Sequence, residues 1–199
     1  MPPNIESISE IPNTLLGAYL CDSDNDMIYA ENRLIYMMSY DQFVTSLDEI
    51  NQTESCNFLN GELFLPNREE CVPFEYLSDD KIRVTLSSID TLFAFRKNEV
   101  AKMYKNRLFL NVKGELEEEW ITYMISKRDH GVLLWERIEV PDEKEYLKSL
   151  TYKYETIEYQ ETEDKYVINP TLIEFDEFLE KEFTLECDVL IPINAEFKN

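Results

Sequence analysis

The stretch Lys81-Ile82-Arg83-Val84-Thr85-Leu86, KIRVTL, decides the fold class. Its apolar residues Ile82, Val84 and Leu86 alternate strictly with Lys81, Arg83 and Thr85, a period of two rather than 3.6 that sends one set of side chains to a core and the other to solvent. The segment therefore predicts a half-buried β-strand. Beyond it the alternation resumes at Ile89, Phe93 and Phe95 in the opposite parity, which predicts a bulge or bend at Ser87-Ser88 where the strand rotates its faces. Long bent strands suit a curved sheet or a barrel.

Outward from this strand, short β-like runs are separated by turn signals. Asn60-Gly61, between NFL and ELFLP, predicts a hairpin, because a type I′ turn needs positive φ at both central residues. Ser78-Asp79-Asp80 separates VPFEYL from KIRVTL, Gly114 follows NRLFLNV, and Asp129-His130-Gly131 joins WITYMISKR to VLLWERI. Later, YKYETIEYQ and YVIN flank Glu163-Asp164-Lys165, and TLECDVLIPI can return as a strand near the end. Together these give about nine or ten short strands at the spacing expected of an antiparallel sandwich or barrel.

Two segments carry a helical period instead. PDEKEYLKSL has Pro141 at a first-turn position, Asp142 and Glu143 complementing the helix dipole, and Tyr146, Leu147 and Leu150 on one side. NPTLIEFDEFLEKEF reads as a second helix, with Asn169 as cap, Pro170 at the first position, and Leu172, Phe175, Phe178, Leu179 and Phe183 making a broad apolar face for the sheet.

With 199 residues, 44% of them hydrophobic and 13% aromatic, the chain has the material for a real core and fits one domain. Pro2-Pro3 and the polar residues up to Asn13 read as a flexible tether over 1–13, followed by a single β-rich domain over 14–199. The 41 Asp and Glu against 19 Lys and Arg give a formal net charge of −22. Such a surface repels nucleic acid and anionic membranes, which leaves solubility, cation binding or docking on a basic partner. No segment approaches the roughly 18 to 20 uninterrupted apolar residues of a membrane span. MPPNIESISEIPN has neither the basic start nor the apolar stretch of a secretion signal, so the chain is either cytosolic or the mature form of an exported protein.

The candidate chemical sites are weak ones. In Cys21-Asp22-Ser23-Asp24-Asn25-Asp26-Met27 three carboxylates alternate, but an EF-hand loop counted from Asp22 would need Gly and Glu where Met27 and Arg33 stand. The same residue types make turns by bonding their own backbone, and a turn is the reading adopted here. The four cysteines, Cys21, Cys56, Cys71 and Cys187, form no Cys-x-x-Cys pair and His130 is the only histidine, which argues against zinc. They are either one or two disulfides of unspecified pairing or four small buried thiols. His130 sits in a turn with no nucleophile tied to it by a local signature. The four glycines exclude glycine-rich phosphate loops. Carboxylate pairs can be drawn anywhere among 41 acidic residues and so indicate nothing about glycoside hydrolysis. Gly114-Glu115-Leu116-Glu117-Glu118-Glu119 is a solvated edge or a patch for a basic partner. The 12 Tyr, 11 Phe and 2 Trp either fill the core or line a pocket for an apolar molecule.

Leu15-Leu16-Gly17-Ala18-Tyr19, the strand ending Ile89-Asp90-Thr91-Leu92-Phe93, Val100-Ala101-Lys102-Met103-Tyr104-Lys105 with Leu108-Phe109-Leu110-Asn111, Trp120 and the helix from Pro170 to Phe183 together resemble a group of uncharacterised small bacterial lipoproteins with a lipocalin-like β architecture. The resemblance implies export and a lipid anchor on a cysteine lost with the leader, and it implies no reaction. Lipocalins carry Gly-x-Trp on the first strand where this chain has Gly17-x-Tyr19, a departure that bears on whether a calyx closes around a central ligand.

The expectation is a mainly β domain, an antiparallel barrel or strongly curved, lipocalin-like sheet with one or two packed helices. It is expected to be non-enzymatic and exported, without catalytic residues, metal or cofactor. Two functions follow: holding a small apolar ligand in an aromatic-lined barrel, or docking a basic protein partner on the acidic face, as a toxin-neutralising immunity protein or an inhibitor would. Nucleic acid is not an expected partner, and a membrane is one only through the lipid anchor.

Overall fold

The alternation at Lys81 reaches well beyond six residues. In a computed structural model of the protein, which describes residues 4–24, 26–52, 57–59, 62–65, 71–95, 99–114, 120–138, 154–157, 165–168, 171–180 and 184–193, a strand runs unbroken over Lys81–Ala94. Ile82 and Val84 are fully buried near its start, and Phe93 and Ala94 near its end, while Ser87 to Thr91 are exposed in succession. The change of parity is thus spread over a stretch that buries neither face.

Among the described residues the strands are β1 (Ser7–Ile8), β2 (Gly17–Cys21), β3 (Met27–Glu31), β4 (Leu34–Ser46), β5 (Asn57–Leu59), β6 (Glu62–Phe64), β7 (Phe74–Tyr76) and β8 (Lys81–Ala94). They continue as β9 (Val100–Tyr104), β10 (Arg107–Lys113), β11 (Trp120–Lys127), β12 (Leu133–Ile138), β13 (Tyr154–Ile157), β14 (Lys165–Ile168) and β15 (Thr184–Pro192). The helices are α1 (Leu47–Gln52) and α2 (Leu172–Glu180). The mainly β expectation holds. The helix expected over PDEKEYLKSL lies outside the described residues, as do Asn169 and Pro170.

The chain forms two compact units, Met1–Tyr36 with Thr91–Asn199, and Met37–Asp90. The main sheet has the hydrogen-bonded strand order β1-β9-β10-β11-β12-β15-β2-β3-β4-β8-β7, and its registered pairs are antiparallel. The order begins and ends on different strands, so this sheet is open and the closed barrel among the expectations is not formed. Closure requires an uninterrupted ring of pairing, and the edge strand β1 is only two residues long.

Within the segment expected to be a tether, residues 5–11 make contacts with the sheet. Ser7 pairs with Lys102 and Ile8 with Ala101, Ile5 packs against Phe109, Met124 and Phe175, and Ile11 is buried with its N–H donated to the carbonyl of Asn32 at 2.7 Å. The isoleucines at positions 5, 8 and 11 give this polar segment apolar area to bury, which outweighs its loop-like composition.

Leu108, Phe109 and Leu110 of β10 are all fully buried, because the sheet is covered on both faces here. Phe109 and Met124 pack with Phe175 of α2, and the Phe109 and Phe175 rings meet edge-on at 5.3 Å. The cap of α2 is Thr171, not the expected Asn169. Thr171 N–H donates to Glu174 Oε2 at 2.7 Å while Glu174 N–H donates to Thr171 Oγ1 at 3.4 Å, a reciprocal capping box. Between β9 and β10 the two-residue turn Lys105-Asn106 has φ of +47° and +61°, the conformation of a tight hairpin turn reached here without glycine.

In the smaller unit β4 neighbours β8 and β8 neighbours β7, with Phe74 opposite Val84 and Tyr76 opposite Ile82. β5 and β6 pair across Asn60-Gly61 as that dipeptide predicts, Leu59 facing Glu62. The core of this unit is Ile50, Leu63, Val72, Ile82 and Val84. The helix α1 was not anticipated. Its start is a second capping box: Ser46 N–H donates to Glu49 Oε2 at 3.0 Å and Glu49 N–H to Ser46 Oγ at 3.1 Å.

Candidate functional site

The larger unit offers an interior to inspect first. Tyr19, Ile28, Ile35, Leu108, Ile125, Trp135 and Leu190 converge on an apolar void of about 10 Å³, room for about one water molecule. Two of its lining residues, Tyr19 and Trp135, are aromatic and the others aliphatic. Tyr19 turns its hydroxyl back to the carbonyl of Leu15 at 2.9 Å, and its ring lies 3.6 Å from where a side chain on Gly17 would begin. Gly17 has φ +151°, a conformation that L-residues rarely adopt, so the Gly17-x-Tyr19 pair is a packing device at the start of β2. Burial raises the Tyr19 hydroxyl above its ordinary pKa, which keeps it a neutral donor to Leu15.

The acidic segment after β2 is a turn. Cys21 N–H donates to the carbonyl of Asp26 at 2.8 Å, and Asp26 N–H donates to Asp24 Oδ1 at 3.1 Å, so Asp24 is used by its own backbone. Ser23 donates to Asp188 Oδ1 at 3.0 Å and lies 3.1 Å from Cys21 Sγ. A thiol, a hydroxyl and a carboxylate in a row invite a nucleophilic reading, but Cys21 is buried and burial pushes its thiol pKa up, away from the reactive thiolate. Cys21 and Cys71 are free thiols, while Cys56 and the side chain of Cys187 lie outside the described residues. No group of three metal-ligating side chains occurs among the described residues.

His130 stands where the sequence puts it, in the turn between β11 and β12, exposed and with φ +58°. No acid, base or nucleophile is positioned against it by the hydrogen bonds described around that turn. The acidic run Glu115 to Glu119 lies outside the described residues. On the opposite face of the sheet from the void, Lys105 Nζ meets Asp176 Oδ1 at 2.7 Å and Tyr104 Oη donates to Asp176 Oδ2 at 3.0 Å. The Lys105 hydrogen bond holds the Asp176 carboxyl below its usual range. This cluster ties α2 to the β9–β10 hairpin and is a structural clamp.

What the sequence pattern did not single out is the middle of the two long strands in the smaller unit. Tyr40, Phe43, Val44 and Ile89 are all exposed there. YDQFV keeps no alternation, and Ile89, which the resumed pattern Ile89, Phe93, Phe95 puts on an apolar face, is exposed while Phe93 is buried.

No protein-family model, curated protein or solved structure matches the chain.

Proposed function

We propose that the protein is a non-enzymatic interaction module whose carboxylate-rich surface docks a basic protein partner, in the manner of a toxin-neutralising immunity protein or an inhibitor. The observation that carries this reading is one of arithmetic and packing together. With 41 carboxylates and 19 Lys and Arg, one-to-one pairing leaves 22 carboxylates without a cation whatever the arrangement, while the apolar void lined by Tyr19, Trp135 and Leu190 measures about 10 Å³. The excess charge lowers stability through self-repulsion and speeds encounter with a cationic partner.

A second reading, a carrier for a small apolar ligand, is favoured by one fact: the lining of the void is apolar and drawn from β2, β3, β4, β10, β11, β12 and β15. That convergence also supports a strongly curved, lipocalin-like sheet in the larger unit. A ligand would need these side chains to move apart. Export and a lipid anchor belong to the same proposal, on the resemblance to small lipoproteins, and the coding sequence upstream tests them by the presence of a leader ending in a lipid-accepting cysteine.

Salt separates the two readings. Association with a lysine-rich protein probe slows steeply between about 50 and about 500 mM NaCl if the acidic surface docks it. Uptake of the neutral dye Nile red that is saturable, stoichiometric and insensitive to salt overturns the docking reading in favour of the carrier.

A further inference from the structure

We propose that Arg107, Ser126 and Arg128, on the sheet face turned away from the void, form an oxyanion site for a soluble phosphate monoester that carries an aliphatic group. The site is independent of the acidic docking reading, because it lies where the charge balance of the chain is reversed.

Residues 100–113 and 120–128, which contain β9, β10 and β11, hold six of the 19 Lys and Arg and none of the 41 Asp and Glu. Two of these cations are already engaged, Lys105 with Asp176 at 2.7 Å and Lys127 with the carbonyl of Thr14 at 3.0 Å. Arg107 and Arg128 make no ion pair among the described residues, although the chain carries more than two carboxylates per cation. Glu136, opposite Met124 on β12, pairs with neither of them.

Strand register brings the three groups together. Arg107 stands directly opposite Ser126, and Ser126 opposite Leu134. Their neighbours Leu108, Ile125 and Leu133 line the void, so alternation turns Arg107, Ser126 and Leu134 to the other face. Side chains at opposed positions have Cβ atoms about 4.5–5.5 Å apart. Arg128 follows Ser126 by two residues in extended backbone, φ −107° and ψ −175°, with its N–H donated to the carbonyl of Val132 at 2.7 Å, and so returns to the same face.

Ser126 is the observation that points to a ligand. It is 8% exposed, and its Oγ is buried without a hydrogen-bond partner. The other buried polar residue among those described, Glu99, accepts the Ala94 N–H at 2.6 Å. A buried hydroxyl left unpaired lowers stability, and alanine in its place would not. Beside it, half-buried Arg107 donates through Nη1 to Met124 Sδ at 3.6 Å, and a thioether is a weak acceptor. Exchanging that sulfur for an oxyanion gives the guanidinium and the hydroxyl a common acceptor.

The donor set selects the ligand. Two guanidinium forks and a hydroxyl suit the three terminal oxygens of a phosphate monoester better than the two of a carboxylate, and its charge of about −1.5 to −2 near neutral pH matches two cations. Across the ladder the floor is apolar: Leu134 stands opposite Val189, both half-buried, and Ile191 on the same strand is 42% exposed. An aliphatic chain leaving the phosphate covers that floor. A vesicle bearing such phosphates sets its whole anionic surface against the net charge of −22, which a small soluble ester does not.

The full chain, labelled with nitrogen-15, is titrated with hexyl phosphate, inorganic phosphate and hexanol, and is mixed with vesicles containing phosphatidic acid. Hexyl phosphate is expected to shift the amides of residues 107, 126, 128 and 134 saturably, inorganic phosphate to shift the first three with lower affinity, and hexanol to shift none. Arg107→Gln and Arg128→Gln each weaken hexyl phosphate about tenfold. Arg128 is exposed, so its variant keeps the fold. Lys113→Gln, a cation 5.9 Å over the Trp120 ring at the other end of β10, leaves affinity unchanged. Ser126→Ala weakens binding without lowering the urea midpoint, because it removes an unpaired hydroxyl. A lowered midpoint with unchanged affinity makes that hydroxyl structural and overturns the site. Binding of wild-type strength in both arginine variants, or no binding of either phosphate, also overturns it. Inorganic phosphate bound as tightly as hexyl phosphate overturns the aliphatic group. Vesicle binding that Arg107→Gln abolishes, with no binding of hexyl phosphate, makes a lipid headgroup the source and overturns the soluble ester.

Discussion

Phe109→Ala and Phe175→Ala test how α2 is held on the sheet. Phe109 is 0% exposed and Phe175 4%, and their rings meet at 5.3 Å. A buried aromatic hides about 150–250 Å². At about 25 cal/mol/Å² that is roughly 4–6 kcal/mol for the whole side chain, most of it in the ring. Each truncation is therefore expected to cost about 3–5 kcal/mol, the range found for buried Phe→Ala changes. Because the two rings share one cavity, the double variant should cost less than the sum of the single ones, by about 0.5–3 kcal/mol. Both tryptophans, Trp120 and Trp135, belong to the larger unit, so intrinsic fluorescence in urea follows that unit alone. With a slope near 2 kcal/mol/M, each midpoint should fall by about 2 M. A loss below about 1 kcal/mol for either variant, or strict additivity, would refute the packing of α2 described here.

Three further outcomes are expected. Asp176 has its folded pKa lowered from the ordinary 3.8, first by the Lys105 hydrogen bond, so its contribution is complete above pH 3.8 and disappears as pH falls through the lower folded value; Asp176→Asn should flatten the acid limb of a stability–pH curve, and an unchanged limb would contradict the clamp. Thr171→Ala removes the cap of α2 and should cost about 0.5–2 kcal/mol in urea unfolding, against a few tenths for Thr171→Ser. Gly131, with φ +81°, closes the turn between β11 and β12, and Gly131→Ala should cost about 1 kcal/mol or more in the same assay because a Cβ strains that backbone.

The sequence revealed the architecture where local and tertiary signals agreed. The alternation around Ile82 and Val84, the Asn60-Gly61 turn and the apolar side of α2 each predicted what forms, because burial on one face writes its period into the chain. Failures came where one local signal stood for several competing effects. Pro2-Pro3 and polar composition suggested a tether, but Ile5 and Ile11 bury apolar area. Asn169-Pro170 had the look of a helix start, yet Thr171 and Glu174 close the capping box. The same four-residue pattern at Ser46 and Glu49 announced α1 and went unread, since a six-residue helix has too little apolar period to notice. The exposed apolar positions were the least legible feature: Tyr40 and Val44 lie on β4 and Ile89 on β8, strands that become neighbours only through their pairing.

The way residues 37–90 depart from the larger unit and return to it also bears on how such a chain can be altered. Phe95 N–H donates to the carbonyl of Arg33 at 3.3 Å, so β4 and β8 are side by side before the chain leaves at Tyr36 and after it rejoins at Thr91. The smaller unit is in this sense an insertion in the chain of the larger one. Replacing it by a short turn joining those strands should leave the host's pairing intact, as insertions and deletions at neighbouring chain ends generally do. A host organised this way can exchange one guest for another without rebuilding its own core.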